Sequence, residues 1–181
     1  GKEKLRTTAA PDGSWTLTFK ARKATREPLK LTVTDGEATL TLTDILVGEV
    51  WLCSGQSNME FSLWGAATAK EDVPNATNAQ IRLYDMKARW RTNPVEWDAS
   101  VLDSLNHLQY FLPTEWTECT PSTASRFSAI AYHFGRMLQD SLQVPVGLIC
   151  NAVGGSPAEA WVSRRMLEFE FPAILRNWTQ N

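Results

Sequence analysis

A serine hydroxyl stands where an apolar, β-rich stretch of the chain ends. The stretch VGEVWLC, which begins at Val47, leads directly into Ser54-Gly55-Gln56-Ser57-Asn58. A buried strand that stops in Gly and small polar residues can hold a hydroxyl above the carboxyl edge of a sheet, where open α/β folds bind their ligands. The candidate nucleophile is therefore Ser57.

The surroundings of Ser57 disfavour one common serine-hydrolase architecture. The G-x-S-x-G nucleophile elbow of α/β-hydrolases has a second Gly two residues after its serine, and this chain has Met59 there. A free serine hydroxyl also needs a base, usually a histidine oriented by a carboxylate, and donors aimed at the developing oxyanion. Another serine-hydrolase fold must supply them.

Two types of periodicity divide the chain into two parts. Residues 14–20, 29–34 and 38–43 alternate apolar side chains with Thr or Lys, and Asp35-Gly36 between the last two runs is typical of a hairpin. From Ile45 onward the order is strand, crossover, strand, with strands predicted at residues 47–53, 81–86 and 146–150. We therefore expect a β-rich module over residues 1–45, truncated, before an α/β domain over residues 46–181.

One long helix and one irregular segment are predicted between these strands. Residues 127–142 carry apolar side chains at three- and four-residue spacings, with Ser125 or a neighbouring Ser or Thr as the cap. The expected face consists of Phe127, Ile130, Ala131, Phe134, Met137, Leu138 and Leu142. Residues 87–122 are rich in Trp, Asn and Pro without a sustained period, which predicts a long surface excursion near the rim of the site.

Four blocks of sequence together resemble the sialate O-acetylesterase family, a branch of the SGNH (GDSL) hydrolases. The first is VGEVWLCSGQSNMEF, in which Gly-Gln-Ser-Asn stands where relatives carry Gly-Asp-Ser. Residues 116–121 and 127–136 form the second, residues 144–149 the third, and Gly154-Gly155-Ser156-Pro157-Ala158-Glu159-Ala160-Trp161 the fourth. The resemblance extends from about Leu46 to Pro172.

The resemblance implies a fold, an activity and site residues. The fold would be a flavodoxin-like SGNH three-layer α/β/α sheet, incomplete because residues 46–181 make only its N-terminal half, preceded by the small antiparallel β module. The activity would be removal of O-acetyl groups from carbohydrates through a Ser57 acyl-enzyme, without metal or organic cofactor. The oxyanion donors would be the N–H of Ser57 and an N–H of Gly154 or Gly155, with side-chain amides from Gln56 or Asn58. Glu159 would tie down a loop or contact the substrate.

Neither histidine of the chain fits the base that the resemblance implies. The family's base lies in an Asp-x-x-His block far downstream, and no such spacing occurs in these 181 residues. His133 lies inside the predicted helix, where packing is the simpler role, and His107 lies in the irregular segment, four residues after Asp103. We therefore expect the His and Asp to come from a second chain or a missing C-terminal segment.

Composition limits the classes of partner. With 43% hydrophobic and 21% charged residues and a net charge of -2, the chain has no basic stripe for nucleic acid or an anionic membrane. It has no apolar run of the roughly 18 to 20 residues that span a bilayer, and its start is no signal peptide. The expected partner is an O-acetylated sugar, and the expected location is secreted, periplasmic or lysosomal, with the signal not present in this chain.

Three cysteines, Cys53, Cys119 and Cys150, lack CxxC spacing and neighbouring histidines, so no metal site is predicted. Cys53 and Cys150 each end a predicted parallel strand, where a buried free thiol is the simpler interpretation. A disulfide is the alternative in a secreted protein.

Two further functional hypotheses stay open. The chain is alternatively a non-catalytic carbohydrate-binding or assembly fragment, in which Ser57 persists and no base is supplied. In the third interpretation, a serine esterase uses His107 in place of the family base. The sugar also stays open, since both sialic acid and a plant-type glycan such as xylan are compatible with the resemblance.

Overall fold

A computed structural model describes residues 3–90 and 97–178, without the side chains of residues 177 and 178. The strands are β1 (Thr25–Thr34), β2 (Thr39–Val47), β3 (Glu49–Gly55), β4 (Asn78–Met86), β5 (Thr117–Cys119) and β6 (Val146–Ala152). The α-helices are α1 (Ser57–Glu60), α2 (Ala69–Asp72), α3 (Ala99–Asn106), α4 (Pro121–Arg126), α5 (Ala129–Leu142), α6 (Arg164–Glu170) and α7 (Pro172–Trp178). Leu63–Gly65 and Ala158–Trp161 form short 3₁₀ helices. The chain is thus a mixed α/β structure.

The antiparallel module at the start of the chain is a single hairpin. Strands β1 and β2 pair antiparallel from Thr34↔Thr39 onward, and Gly36 in the connecting turn has a φ of +102°, which favours glycine. The hairpin at Asp35-Gly36 is confirmed. Strand β2 continues to Val47, two residues past the predicted boundary between residues 45 and 46.

The prediction of a further strand in this module, over residues 14–20, is wrong. Residues 14–20 form no strand, and their two aromatic side chains, Trp15 and Phe19, are exposed. Alternation of apolar and polar residues shows only that a segment could lie on a half-buried surface. A strand also needs a backbone-paired neighbour, and among the described residues β1 and β2 pair only with each other.

The larger sheet places the third parallel strand between the first two. Within the described residues its order is β3-β6-β4-β5, with β3, β6 and β4 parallel and β5 antiparallel to β4. The three parallel strands were predicted from their apolar runs, and the structure confirms them. Because they are parallel, their carboxyl ends meet at one edge, which is where the chain turns after Gly55, Met86 and Ala152.

Helix α5 packs on one face of this sheet, as the spacing predicted, but through a different face of the helix. It begins after Ser128, whose hydroxyl accepts the Ala131 N–H at 3.1 Å, so the cap is Ser128 and not Ser125. The helix buries Ala129, Ala131, Tyr132, Gly135 and Gln139, whereas Ile130, Phe134, Met137 and Leu142 are exposed. The predicted face is therefore wrong in part.

A close approach of the helix backbone to a leucine side chain explains the shift of that face. A Cβ on Gly135 would lie 2.4 Å from Leu148 Cδ1, so the helix contacts strand β6 through a glycine. Phe134 instead reaches Trp51 of the edge strand β3, with ring centroids 5.2 Å apart in an edge-to-face arrangement. Helix periodicity marks an apolar stripe, and only the packed sheet decides which part of it is buried.

The segment predicted as an irregular excursion contains regular elements. Helix α3 and strand β5 both lie between residues 87 and 122, and residues 91–96 of this segment lie outside the described residues. Strand β5 has only three residues, too few for an alternating pattern to be recognised. Its pairing with β4 is what makes it a strand.

The opposite face of the sheet carries exposed apolar side chains. Val50 and Leu52 point away from α5 and are each 63% exposed, on the strand that ends the described sheet order. The described residues thus supply the sheet and the helix layer on one of its faces. Parallel sheets are normally covered on both faces.

A buried carboxylate joins α2 to α5. Asp72 is 6% exposed, accepts a hydrogen bond from Arg136 Nη1 at 3.0 Å, and lies 3.5 Å from His133 Nε2. Hydrogen bonding from Thr68, and then the Arg136 guanidinium and His133, hold the pKa of the Asp72 carboxyl below its ordinary value, against the opposing effect of burial. His133, predicted as a packing residue, is therefore also a partner of this carboxylate.

The lowered pKa sets the direction of a stability test. Ionised Asp72 stabilises the fold above its unfolded-state pKa, and that contribution is lost as pH falls through the lower folded-state pKa. We expect Asp72→Asn to destabilise the protein by about 1–3 kcal/mol at neutral pH, with a smaller penalty in acid. Urea unfolding across this pH range, with Asp140→Asn on the exposed side of α5 as the control, measures both. Equal acid sensitivity of the two variants would contradict the assignment.

Candidate active site

The turn that carries the candidate nucleophile, Gly55 to Ser57, follows strand β3 without an intervening loop and is called the nucleophile turn below. Ser57 is the first residue of α1 and is exposed, and its Oγ donates a hydrogen bond to Gln56 Oε1 at 3.1 Å. Gly55, at the end of β3, has a φ of +153°, and a Cβ there would lie 3.2 Å from Met59 Cβ. Glycine lets the chain leave the strand and enter α1 at once. The hydroxyl therefore stands at the carboxyl edge of the sheet, as predicted.

A glycine turn from the neighbouring strand lies against Ser57. Strand β6 pairs with β3 in parallel, and the Val153 N–H extends that pairing by donating to the Gly55 carbonyl at 3.0 Å. A methyl group placed on Gly154 would be 3.8 Å from Ser57 Oγ. The structure thus brings together Ser57 and Gly154, two candidates almost a hundred residues apart in the chain.

The turn itself is closed by one hydrogen bond. The Ser156 N–H donates to the Val153 carbonyl at 3.2 Å, and Gly155 has a φ of +80°. A positive φ at the third position, after a residue with negative φ, is the conformation of a type II turn and requires glycine. Ser156 Oγ then donates to the Val153 carbonyl and accepts from Trp161 Nε1, which ties the turn to the following 3₁₀ helix.

A carboxylate that the sequence analysis missed lies between the two turns. The Gly154 N–H donates to Glu60 Oε2 at 2.9 Å, and Glu60 is the last residue of α1. Residues three apart on a helical turn share a face, so Ser57 and Glu60 both face Gly154. Three-residue spacing within SGQSNME was the signal available in the sequence. The Gly154 N–H, one of two alternatives for an oxyanion donor, already has an acceptor.

The other predicted site residues are less closely connected to the nucleophile. Asn58 is exposed, and Glu159 is half-buried in the 3₁₀ helix Ala158–Trp161. Within the described residues the Glu159 carboxylate forms no ion pair with a described side chain. The roles of Gln56, Asn58 and Glu159 stay predictions.

A partly buried polar cluster lies on the α5 side of this edge. Burial raises the pKa of the Asp85 carboxyl; the Lys87 ammonium, 3.0 Å away, opposes this shift, and the Glu60 charge adds to it. Burial, and then Glu60, raise the pKa of the Tyr110 hydroxyl. Asp85 Oδ1 is buried without a partner among the described residues. The negative charge of Glu60 thus contributes to the raised pKa of both Asp85 and Tyr110.

Neither histidine is bonded to Ser57 in the described part of the chain. His107 lies just after α3, is mostly exposed, and its Nδ1 lies 2.8 Å from the Asp103 backbone carbonyl oxygen. His133 lies beside Asp72 on α5. The described residues therefore bring together the candidate nucleophile and the candidate backbone donors, and neither histidine is bonded to that hydroxyl.

An open cavity of about 560 Å³ lies where β4 ends. Its lining includes Tyr84 and Met86 from β4, together with Arg89, Gln109 and Phe111. Strand β4 pairs with β6 up to Met86↔Asn151, close to the strand end that carries the glycine turn. Aromatic faces with a guanidinium and an amide suit the apolar and polar sides of a sugar ring.

Comparison with known proteins decides the family. The model for the family described as "Carbohydrate esterase, sialic acid-specific acetylesterase" matches residues 47–180. The chain belongs to this carbohydrate esterase family. The match covers the β3 strand, the nucleophile turn and the Gly154-Gly155 turn together, which is the part of the chain that carried the resemblance.

Individual relatives agree with this assignment. Sialate O-acetylesterases of Pongo abelii, Rattus norvegicus and Homo sapiens are 37%, 34% and 33% identical, each over 72% of this chain. A solved carbohydrate acetylesterase from Xanthomonas citri is 31% identical, with a TM-score of 0.72 over 88% of this chain and 34% of its own. The chain spans only 23% to 24% of the length of the three curated relatives.

Within the described residues, this family member has no cluster of three or more His, Cys, Asp or Glu side chains that could hold a metal ion. Among the same residues, no helix has both the length and the apolar character that crossing a membrane requires.

The three cysteines are buried and free, which confirms the simpler interpretation given for Cys53 and Cys150. Cys53 and Cys150 are direct neighbours across β3 and β6, and Cys119 Sγ donates to the Ala76 carbonyl at 3.0 Å. Burial raises the pKa of Cys150 to about 12 and of Cys119 to about 11, and it also raises the pKa of Cys53. The thiolate is the reactive form, so these thiols should be inert.

We therefore expect an aromatic disulfide reagent to leave the native protein unmodified at neutral pH. A pKa near 11 leaves a thiolate fraction of about 10⁻⁴ at neutral pH. In denaturant the same reagent should modify all three cysteines and release three equivalents of aromatic thiolate per chain. Rapid reaction of one thiol in the native protein would contradict the burial of that strand end.

Proposed function

We propose that this protein removes O-acetyl groups from carbohydrates, with Ser57 as the nucleophile. The observation that carries the proposal is the contact between two turns. An exposed hydroxyl follows the end of one parallel strand, and 3.8 Å from it lies the Cβ position of a glycine that follows the end of the neighbouring strand. A hydroxyl beside close-approaching backbone N–H groups is the arrangement that acyl transfer requires. The family assignment and the names of the relatives support the same reaction class.

The reaction proceeds through an acetyl-serine. Ser57 Oγ attacks the acetyl carbonyl carbon while its proton passes to a base, and the carbonyl oxygen becomes an oxyanion. Collapse of the tetrahedral intermediate breaks the ester C–O bond, and the base returns the proton to the departing sugar oxygen. Water then hydrolyses the acetyl-serine and releases acetate. Ser57 begins α1, so its N–H has no acceptor within the helix and can donate to the oxyanion.

The base and its carboxylate come, in this proposal, from a second chain or a C-terminal segment with Asp-x-x-His. Three observations support this. Neither His107 nor His133 is bonded to Ser57 Oγ among the described residues. The face of β3 opposite α5 exposes Val50 and Leu52, where a further layer could pack. The chain also spans about a quarter of its curated relatives.

The proposed substrate is an O-acetylated sugar, with sialic acid and xylan-type glycans as the two candidates. The names of the relatives favour the sialate. The exposed Arg89 in the cavity also favours it, because a guanidinium pairs well with a sugar carboxylate. We propose a secreted, periplasmic or lysosomal location, where such sugars occur.

The rival function is a non-catalytic carbohydrate-binding or assembly fragment. The observation in its favour is the same absence of a histidine beside Ser57 in the described residues. In that case the 560 Å³ cavity would bind sugar, and Ser57 would only begin a helix. Turnover of an acetyl ester decides between the two functions.

The first experiment is hydrolysis of a chromogenic acetate ester, 9-O-acetylated sialic acid and acetylated xylan by the full natural polypeptide that carries this chain. We expect Ser57→Ala to lower kcat at least about a thousandfold, because the hydroxyl forms the acyl-enzyme. Ser100→Ala, on the exposed first turn of α3, is the matched control and should not change turnover. Activity retained in Ser57→Ala would refute the nucleophile, and sugar binding without any turnover would favour the rival.

A second experiment separates the sources of the base. If the base comes from outside these residues, His107→Ala should change kcat by less than about threefold, because its ring contacts its own helix. His133→Ala should lower the stability of the fold, because it removes a partner of Asp72, and it should leave kcat unchanged. Loss of turnover in His107→Ala, with folding intact by circular dichroism, would instead make His107 the base.

A further inference from the structure

Glu60 faces the point where the two turns of the site meet. It follows Ser57 by three residues and ends the single turn of α1, and its backbone N–H donates to the Gln56 carbonyl at 2.9 Å. A Cβ on Gly154 would lie 2.5 Å from Glu60 Oε2 and 3.8 Å from Ser57 Oγ. The carboxylate and the hydroxyl therefore lie on the same side of one glycine.

The hydrogen bond from Gly154 divides the two glycine N–H groups between different roles. The Gly154 N–H is bound to Glu60 Oε2 at 2.9 Å, and it is not available to an oxyanion while that bond persists. The Gly155 N–H has no acceptor among the described residues. In a type II turn the N–H of the third residue does not take part in the closing bond. It is the donor left for a ligand.

Within the described residues, three hydrogen bonds from backbone N–H groups connect the glycine turn to its surroundings. The Val153 N–H bond to Gly55 fixes the end of the strand, and the Ser156 N–H bond closes the turn. The Glu60 bond links the glycines directly to α1, the helix that begins with Ser57. Because an oxyanion donor must be held within about 0.5 Å of its productive position, which is about 3 Å from the oxyanion, such a link has a catalytic consequence.

We propose that Glu60 is a positioning residue that locks the Gly154-Gly155 turn against the nucleophile turn, so that the Gly155 N–H becomes the second oxyanion donor. This inference rests on the proposed serine-esterase function and adds to it which glycine donates and what places it. Glu60 itself does not touch the reacting atoms.

The charge of Glu60 and its hydrogen bond should have opposite effects on kcat, so two substitutions can separate them. An anionic carboxylate near a developing oxyanion opposes it, and only the hydrogen bond to Gly154 is useful. A glutamine side chain in its place would keep an oxygen acceptor without the charge. We therefore expect Glu60→Gln to retain kcat within about threefold or to raise it. Glu60→Ala, which loses the acceptor, should lower kcat about 10- to 100-fold with KM within about twofold.

The first readout is independent of turnover. Amide hydrogen exchange of Gly154, followed by NMR on this chain, should be slow in the wild type and in Glu60→Gln. In Glu60→Ala it should be at least about tenfold faster. Glu71→Ala, an exposed carboxylate in α2, is the matched control and should leave the exchange unchanged. Thermal melting of each variant separates this local change from a loss of global stability.

The second readout is the kcat and KM of the full natural polypeptide on the acetate ester, with Ser57→Ala as the reference for the nucleophile. A Glu60→Ala variant with wild-type kcat and wild-type Gly154 exchange would overturn the inference while leaving the esterase proposal intact. Loss of kcat that Glu60→Gln does not rescue would also overturn it, because the charge and not the hydrogen bond would then matter. If Ser57→Ala kept full activity, the proposed function and the catalytic role of Glu60 would both fail, and faster Gly154 exchange in Glu60→Ala would still establish the link between the turns.

Discussion

The parallel pairing of β3 with β6 is the constraint on which the site depends. The two strands stay in register from Glu49↔Val146 to Gly55↔Ala152, and the Val153 N–H adds one more bond to the Gly55 carbonyl. Parallel strands end at the same edge, so the chain must turn away at both ends side by side. The nucleophile turn and the glycine turn therefore meet without a long loop between them. A shift of register by one residue would separate Ser57 from Gly154 and reverse the faces of the strand side chains.

The core beneath this pairing contains two neighbouring thiols and a close contact at a glycine. Cys53 and Cys150 lie opposite each other near the strand ends, and Gly135 of α5 lets the helix backbone approach Leu148. Close approach fixes the height of the helix above the sheet, and dense packing leaves little freedom to change it. Helix α5 thus holds the strand ends, and with them the two turns, in place. The helix itself contains none of the proposed site residues. The Asp72 carboxylate adds a second connection between α2 and α5.

The described residues bring together part of the proposed site. A hydroxyl, two turns with backbone donors and a carboxylate between them lie together at the sheet edge. The histidines are bonded elsewhere in the described residues, His107 to its own helix and His133 beside Asp72. Family membership together with coverage of about a quarter of the curated relatives is consistent with this partial site. The exposed apolar face of β3 points to the place where a further layer would pack.

The amino-acid sequence by itself determined the parallel strands, the hairpin at Asp35-Gly36, the long helix and the nucleophile Ser57 as a candidate. Each of these follows from local periodicity, turn residues or a motif, and such signals lie within a few residues of one another. Tertiary structure alone decided that residues 14–20 form no strand, that β5 is one, and which side of α5 is buried, because each depends on a partner distant in the chain. It also decided that Glu60 binds the Gly154 N–H. That bond joins residues 94 positions apart in the chain. The pairing of β3 with β6 brings these two residues together, and a local sequence pattern does not record that pairing.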